Sequence, residues 1–408
     1  MVRNLMVLAV IFICLNSCKT EKPKIVSLEE DIVFLASDSL VGRETGTPEE
    51  LVAADYLQKR MKTIGLQPKG KAGTYFQTFT FKPKTDPHAE VQFVSGDSTI
   101  TGTNVIGYID NQAEKTVIIG AHYDHLGMGG EGSLYADGDA IHNGADDNAS
   151  GVGVMLKVAE KLKDSIKGSN YMFIAFSGEE MGLLGSNYFT KNPTIDLNEA
   201  NYMINMDMVG RLRDDKTLSI SGTGTAPIWN QVLNSTNPGF KLVLNESGVG
   251  PSDHTSFYLQ NIPVLHFFTG QHEDYHKPSD DSEKLNYEGM RMIGGYILNV
   301  ISELDDDAKL AFRTTKNESE DVPRFKVALG VMPDYLFDGK GMRIDGVTED
   351  RPAAIAGLQK GDVVIQLGDS TVVDMMSYMR ALSTFEEGDS TKVVVDRKGE
   401  KVEAAITF

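Results

Sequence analysis

Thr116-Val-Ile-Ile-Gly-Ala-His122 is a short apolar run that ends on a histidine, and Tyr123-Asp124-His125 follows without a break. An uninterrupted run of this length reads as a strand buried on both faces, the form strands take in a parallel sheet covered by helices. The pattern recurs at Tyr171-Met-Phe-Ile-Ala-Phe176, at Tyr202-Met-Ile-Asn-Met206 and at Ile262-Pro-Val-Leu-His-Phe-Phe268. Helical spacing lies between and around these runs, from Gly151 to Leu162 and from Met290 to Leu304. Upstream, Leu51, Ala54, Leu57, Met61 and Ile64 mark a helix with Thr47 as N-cap and Pro48 in its first turn. Strand and helix alternating in this way predict an α/β fold, a mostly parallel sheet with helices on both faces.

The 408-residue chain carries a formal net charge of −19. Its ordinary globular composition excludes a disordered, collagenous or coiled-coil main state, and its acidity repels phosphate backbones, which argues against nucleic acid as a partner. Arg3 and the apolar run Met6–Leu15 predict a secretion signal over residues 1–17. Leu15-Asn-Ser-Cys18 resembles the lipobox of bacterial lipoproteins, in which Cys18 would carry the lipid. The expectation is a protein held by a lipid anchor at the membrane of the bacterial cell envelope, outside the cytoplasm. Both cysteines, Cys14 and Cys18, fall in this segment, so any metal ligands must come from His, Asp and Glu. Residues 18–24 read as a tether, 25–303 as a first globular region, 304–323 as a charged linker and 324–408 as a second region.

Seven of the eight histidines lie between His122 and His276, accompanied by acidic clusters. His122, Glu179, Glu180 and Asp207 stand at the carboxyl ends of predicted strands, and His276 lies in the loop after one. That edge is where open parallel sheets bind ligands. Imidazole and carboxylate without thiolate suit Zn²⁺, with Co²⁺ or Mn²⁺ as alternatives. More acids converge there than one ion needs, which points to a two-metal site.

These segments, over roughly residues 40–300, resemble the co-catalytic dinuclear zinc exopeptidases: bacterial leucyl aminopeptidases and their glutamate carboxypeptidase and glutaminyl cyclase relatives. The resemblance implies two Zn²⁺ per chain. It assigns His122 and Asp207 to one ion, Glu180 and His276 to the other, and Asp146, which is also placed to cap the following helix, as the bridge. Glu179 would be the general base, and Tyr275 a donor to the oxyanion. Asp124 would orient His122, and Asp147 would share a cis peptide with Asp146. Ser252-Asp-His-Thr-Ser-Phe257 matches a segment beside the substrate pocket, making His254 a substrate-contact candidate, whereas His125, His142, His266 and His272 are expected in structural or rim roles. Gly42-Arg-Glu-Thr-Gly-Thr47 matches a family segment with an architectural role. About fifty residues separate Gly70 from His122, too few for the protease-associated domain that many relatives insert there.

In the second region, Val327-Ala-Leu-Gly-Val331, Arg351–Leu358, Lys360–Asp369 and a helix near Met375–Leu382 resemble a PDZ domain attached to bacterial proteases. The resemblance implies that Leu329 and Gly330 present backbone amides to a protein C-terminus or peptide that joins the sheet edge. The expected activity is removal of N-terminal residues from peptides. The same fold also supports a carboxypeptidase, for which Arg211 and Arg213 could bind a carboxyl group, a glutaminyl cyclase, or a non-catalytic peptide receptor.

Overall fold

A computed structural model describes residues 26–83, 92–96, 98–130, 132–315, 326–334, 336–337, 339–348 and 351–408. The signal, the tether and Cys18 lie outside these residues, as does part of the linker. No helix among the described residues is long and apolar enough to cross a membrane.

The first region is built on nine strands: β1 (Gln67–Pro68), β2 (Phe76–Phe81), β3 (Ile100–Ile109), β4 (Thr116–His122), β5 (Asn170–Phe176), β6 (Ala200–Met206), β7 (Thr217–Ser221), β8 (Lys241–Asn245) and β9 (Val264–Phe268). The order is β1-β3-β5-β4-β6-β9-β7-β8, with β2 also on β3. The four central strands β5, β4, β6 and β9 run parallel. Antiparallel pairs flank them, β3 against β5 on one side and β7 against β9 on the other, so the sheet is mixed. Alternate residues of one strand feed different cores. Val117, Ile119, Phe173 and Ile204 pack on one face. Ile118, Met172, Ile174 and Met203 pack on the other. This two-sided burial is the reason for the unbroken apolar runs.

On the first face lie α1 (Leu28–Leu35), α2 (Pro48–Ile64), α3 (Gly151–Ser165), α5 (Trp229–Ser235) and α7 (Tyr287–Glu303); α4 (Leu184–Lys191) and α6 (His254–Tyr258) cover the other. Thr47 caps α2 through its side chain, with Pro48 in the first turn. Because the central strands are parallel, their carboxyl ends share one edge. Tyr123 N–H donates to Phe176 O, and Asp207 N–H to Phe267 O, which brings the loops after β4, β5, β6 and β9 to the same depth.

The second region is a six-stranded antiparallel sheet with its own apolar core. Its strands are β10 (Val331–Pro333), β11 (Met342–Val347), β12 (Val363–Leu367), β13 (Ser370–Thr371), β14 (Ser390–Arg397) and β15 (Glu400–Thr407), accompanied by α8 (Pro352–Ile355) and α9 (Met375–Leu382).

Candidate metal centre

At the shared edge, His122 ends β4, Glu179 and Glu180 follow β5, Asp207 follows β6, and His276 sits in the loop after β9. His122 Nε2 lies 3.3 Å from both Asp207 Oδ1 and Asp147 Oδ1. His276 Nε2 lies 3.1 Å from Asp147 Oδ2 and 3.4 Å from Glu180 Oε2. The two oxygens of Asp147 therefore face two separate imidazole–carboxylate sets. Donor atoms of His122, Asp147 and Asp207 converge within 4.8 Å, as do those of His125, Asp147 and Glu180.

It is therefore Asp147, and not the expected Asp146, whose carboxylate faces both sets. Asp146 is fully buried and turned into the scaffold, accepting from Gly210 N–H at 2.6 Å and pairing with His272 Nε2 at 3.1 Å. The reason is local: the irregular turn Ala145–Ser150 presents consecutive side chains in different directions, with Asp147 at φ −105°, ψ 91°. The cis peptide likewise joins Asp147 to Asn148 rather than Asp146 to Asp147. Asp280, unforeseen in the sequence, fixes this turn by accepting from the backbone N–H of Asp146 (2.9 Å) and Asp147 (3.1 Å).

Asp124 stands 3.7 Å from His122 Nδ1, too far for the expected hydrogen bond. The backbone carbonyl of Asp124 is nearer, at 3.3 Å. Its carboxylate instead accepts from the backbone N–H of Glu179 (3.2 Å) and Glu180 (3.4 Å), holding the loop that carries both acids. His125, expected in a structural or rim role, lies inside the cluster with Nδ1 2.6 Å from Glu180 Oε1.

Glu179 Oε2 lies 3.9 Å from His122 Nε2. Burial, together with the charges of Asp207, Glu180 and Asp253, raises its carboxyl well above the usual range against the pull of His122. A carboxylate so placed holds a proton readily, as a general base must. Glu179 also falls within ligand reach of His122 and Glu180. The Tyr275 ring stacks on His276 at 3.8 Å. Burial and the carboxylates of Asp147, Glu180, Glu179 and Asp207 push its hydroxyl well above the ordinary phenol, so it remains a donor. Although burial opposes it, Glu180 and Asp147 raise His276 to about 9. His254 does not make the expected substrate contact: it is fully buried and stacks flat on His266 at 4.5 Å. Arg211 is engaged with Asp274 (2.8 Å), and Arg213 with Asp345 of the second region (3.2 Å).

In the second region Leu329 is buried and Gly330 has φ +78°, where a Cβ would meet the Arg351 side chain at 2.1 Å. β10, which follows this loop, is an end strand of its sheet.

The donor set suits zinc, since its atoms converge without thiolate and in two groups sharing one carboxylate. An α/β sheet with this cluster at its strand ends has the architecture of the zinc exopeptidases. A solved Zn-dependent exopeptidase from Parabacteroides distasonis superposes with a TM-score of 0.54 at 20% identity, over 69% of this chain and 99% of that one. Residues 104–301 match peptidase family M28, and residues 310–408 match the PDZ domain. The chain is 30% identical over 185 residues to the alkaline phosphatase isozyme conversion protein of Escherichia coli, covering 45% of this chain and 51% of that protein. It is 28% identical over 218 residues to the aminopeptidase YwaD of Bacillus subtilis, covering 50% of this chain and 45% of that protein. The chain spans about half the length of these relatives.

Proposed function

We propose that this protein is a metal-dependent aminopeptidase that removes N-terminal residues from peptides. The observation that carries this reading is Asp147, whose two oxygens face His122 with Asp207 on one side and His276 with Glu180 on the other. His122, Asp147 and Asp207 would hold one Zn²⁺, and Asp147, Glu180 and His276 the second. Bound zinc would polarise the scissile carbonyl and acidify water. Glu179 takes the proton from the attacking water and delivers it to the leaving amine. Tyr275 donates its hydroxyl to the developing oxyanion. Asp124 and Asp280 hold the two acidic loops in register.

The family likeness supports hydrolysis. The ion pairs of Arg211 and Arg213 favour an aminopeptidase over a carboxypeptidase, because both guanidiniums are occupied. The end strand β10 beside the Leu329–Gly330 loop supports recognition of a peptide or protein C-terminus by strand addition. The lipobox-like Cys18 supports a lipid-anchored protein of the cell envelope.

The test is a panel of aminoacyl chromogenic substrates, each with a free or an acetylated amine, on protein of measured zinc content. Cleavage of free-amine forms alone, at two zinc per chain, is expected. A zinc-loaded protein that cleaves neither form would remove the aminopeptidase reading.

A further inference from the structure

The segment Arg43–Glu50 lies outside the residues matched to the peptidase family, yet it reaches three of the loops that carry the candidate ligands. Arg43 is fully buried. Its guanidinium donates to the carbonyls of Tyr123 (2.5 Å), Leu35 (2.9 Å), Gly144 (2.6 Å) and Asn143. Tyr123 stands between His122 and Asp124, and Gly144 opens the turn that bears Asp147. Thr45 donates its hydroxyl to Asp124 Oδ2 at 3.1 Å. Glu50, also buried, accepts from the Tyr123 hydroxyl (3.0 Å) and from Ser177 Oγ (2.5 Å), the residue leading into Glu179 and Glu180. Gly42 lets the segment come this close: at φ +68°, a Cβ there would lie 2.5 Å from Gly127 O and 2.6 Å from His142 O.

A buried cation is expensive unless its donors are met, and removing this one would strand four backbone carbonyls. What the guanidinium adds is a rigid fork that satisfies acceptors on two separate loops at once, which neither a lysine nor an apolar residue can reproduce.

We propose that Arg43 is a positioning residue for the metal centre. It ties the His122–Asp124 loop to the Gly144–Asp147 turn, and so sets the separation of the His122 and Asp147 ligand atoms before any metal binds. The inference rests on the metal-centre reading above.

The test is zinc affinity of the full chain by chelator competition, with the thermal midpoint of the metal-free protein measured alongside, for wild type, Arg43→Lys, Arg43→Met and Thr45→Val. Positioning predicts that both Arg43 variants bind zinc about 10–100-fold more weakly, the range for outer partners of metal ligands. A purely electrostatic role predicts the opposite sign: removing a cation beside two dications tightens zinc binding in Arg43→Met and leaves Arg43→Lys unchanged. That result would overturn the proposal. So would a lowered midpoint with undiminished zinc affinity, the mark of a merely structural residue. If neither Arg43 variant folds, Thr45→Val decides, with about tenfold weaker zinc expected and wild-type affinity overturning the idea. Wild-type protein that binds no zinc would fail the metal-centre reading itself, independently of the variants.

Discussion

Asp146 and Asp147 are adjacent in sequence but have different surroundings, and the difference is testable. Asp147→Asn should lose bound zinc, because the amide removes charge from the side chain whose two oxygens face both imidazoles. Asp146→Asn should keep its zinc and lower stability by about 1–3 kcal/mol, since a buried acceptor of Gly210 N–H is altered. Metal analysis and thermal melts of the two variants check this, and the reverse pattern would restore the bridge to Asp146. On the proposed mechanism, Glu179→Gln should keep its zinc yet lose roughly 10²–10⁴ in turnover. Lost zinc in that variant would make Glu179 a ligand instead. The sequence displayed the paired acids because the chemistry leaves few other donors in a chain without core thiols. It did not reveal which acid faces the cluster, because backbone dihedrals inside an irregular turn decide that. His254 was misplaced for a related reason: a histidine on a short helix reads the same whether its face meets a pocket or the core.

The central strands β4, β5, β6 and β9 were legible because both of their faces are buried, which forces unbroken apolar runs. β3 was not, since Thr103, Asn104 and two glycines interrupt it. Asn104 serves the site's loop by accepting from Ser177 N–H and donating to Gly185 O. Glu50 on α2 was equally silent, as a first-turn acid ordinarily caps and faces water. Here it is fully buried, and burial raises its carboxyl to about 7 against the hydrogen bonds from Ser177, Gly46 and Tyr123. With a folded pKa above the unfolded value near 4.3, its contribution is most favourable below that lower value and is lost as pH rises through about 7. Unfolding free energy of wild type relative to Glu50→Gln should therefore fall by about 3 kcal/mol from pH 4.5 to pH 8. Denaturant melts of both proteins across that range would show it, and a flat difference would mean that Glu50 is ionised throughout.

At the scale of the whole molecule, the second sheet region is held close to the candidate metal centre. Arg213, six residues after Asp207, pairs with Asp345 at 3.2 Å and with Asp334 at 3.5 Å, both across the domain boundary. Leu336 packs toward Gly270 in the loop that continues to His272 and His276. A cavity of about 450 Å³ lies along this seam, lined by Arg211, Arg213, His272, Lys284, Asp345 and Lys360. Sequence reading separated the two domains through the charged linker, but pairing across them depends on tertiary placement that no local pattern encodes. Arg213→Ala leaves Asp334 with Arg343 and Asp345 with Lys360, so neither carboxylate is stranded. The Arg213 side chain is 32% exposed, and pairs this accessible are worth at most about 1 kcal/mol. The midpoint of global unfolding should therefore move by only a few degrees, while the docking of the two domains, which among the described residues shows no other ion pair, should loosen. Limited proteolysis within residues 304–325 is expected to accelerate several-fold in the variant. Wild-type protein should approach the same rate in about 1 M salt, where the Debye length shrinks to about 3 Å. Cleavage that is unchanged by either treatment would assign the docking to the apolar contact of Leu336 with Gly270 rather than to the ion pairs.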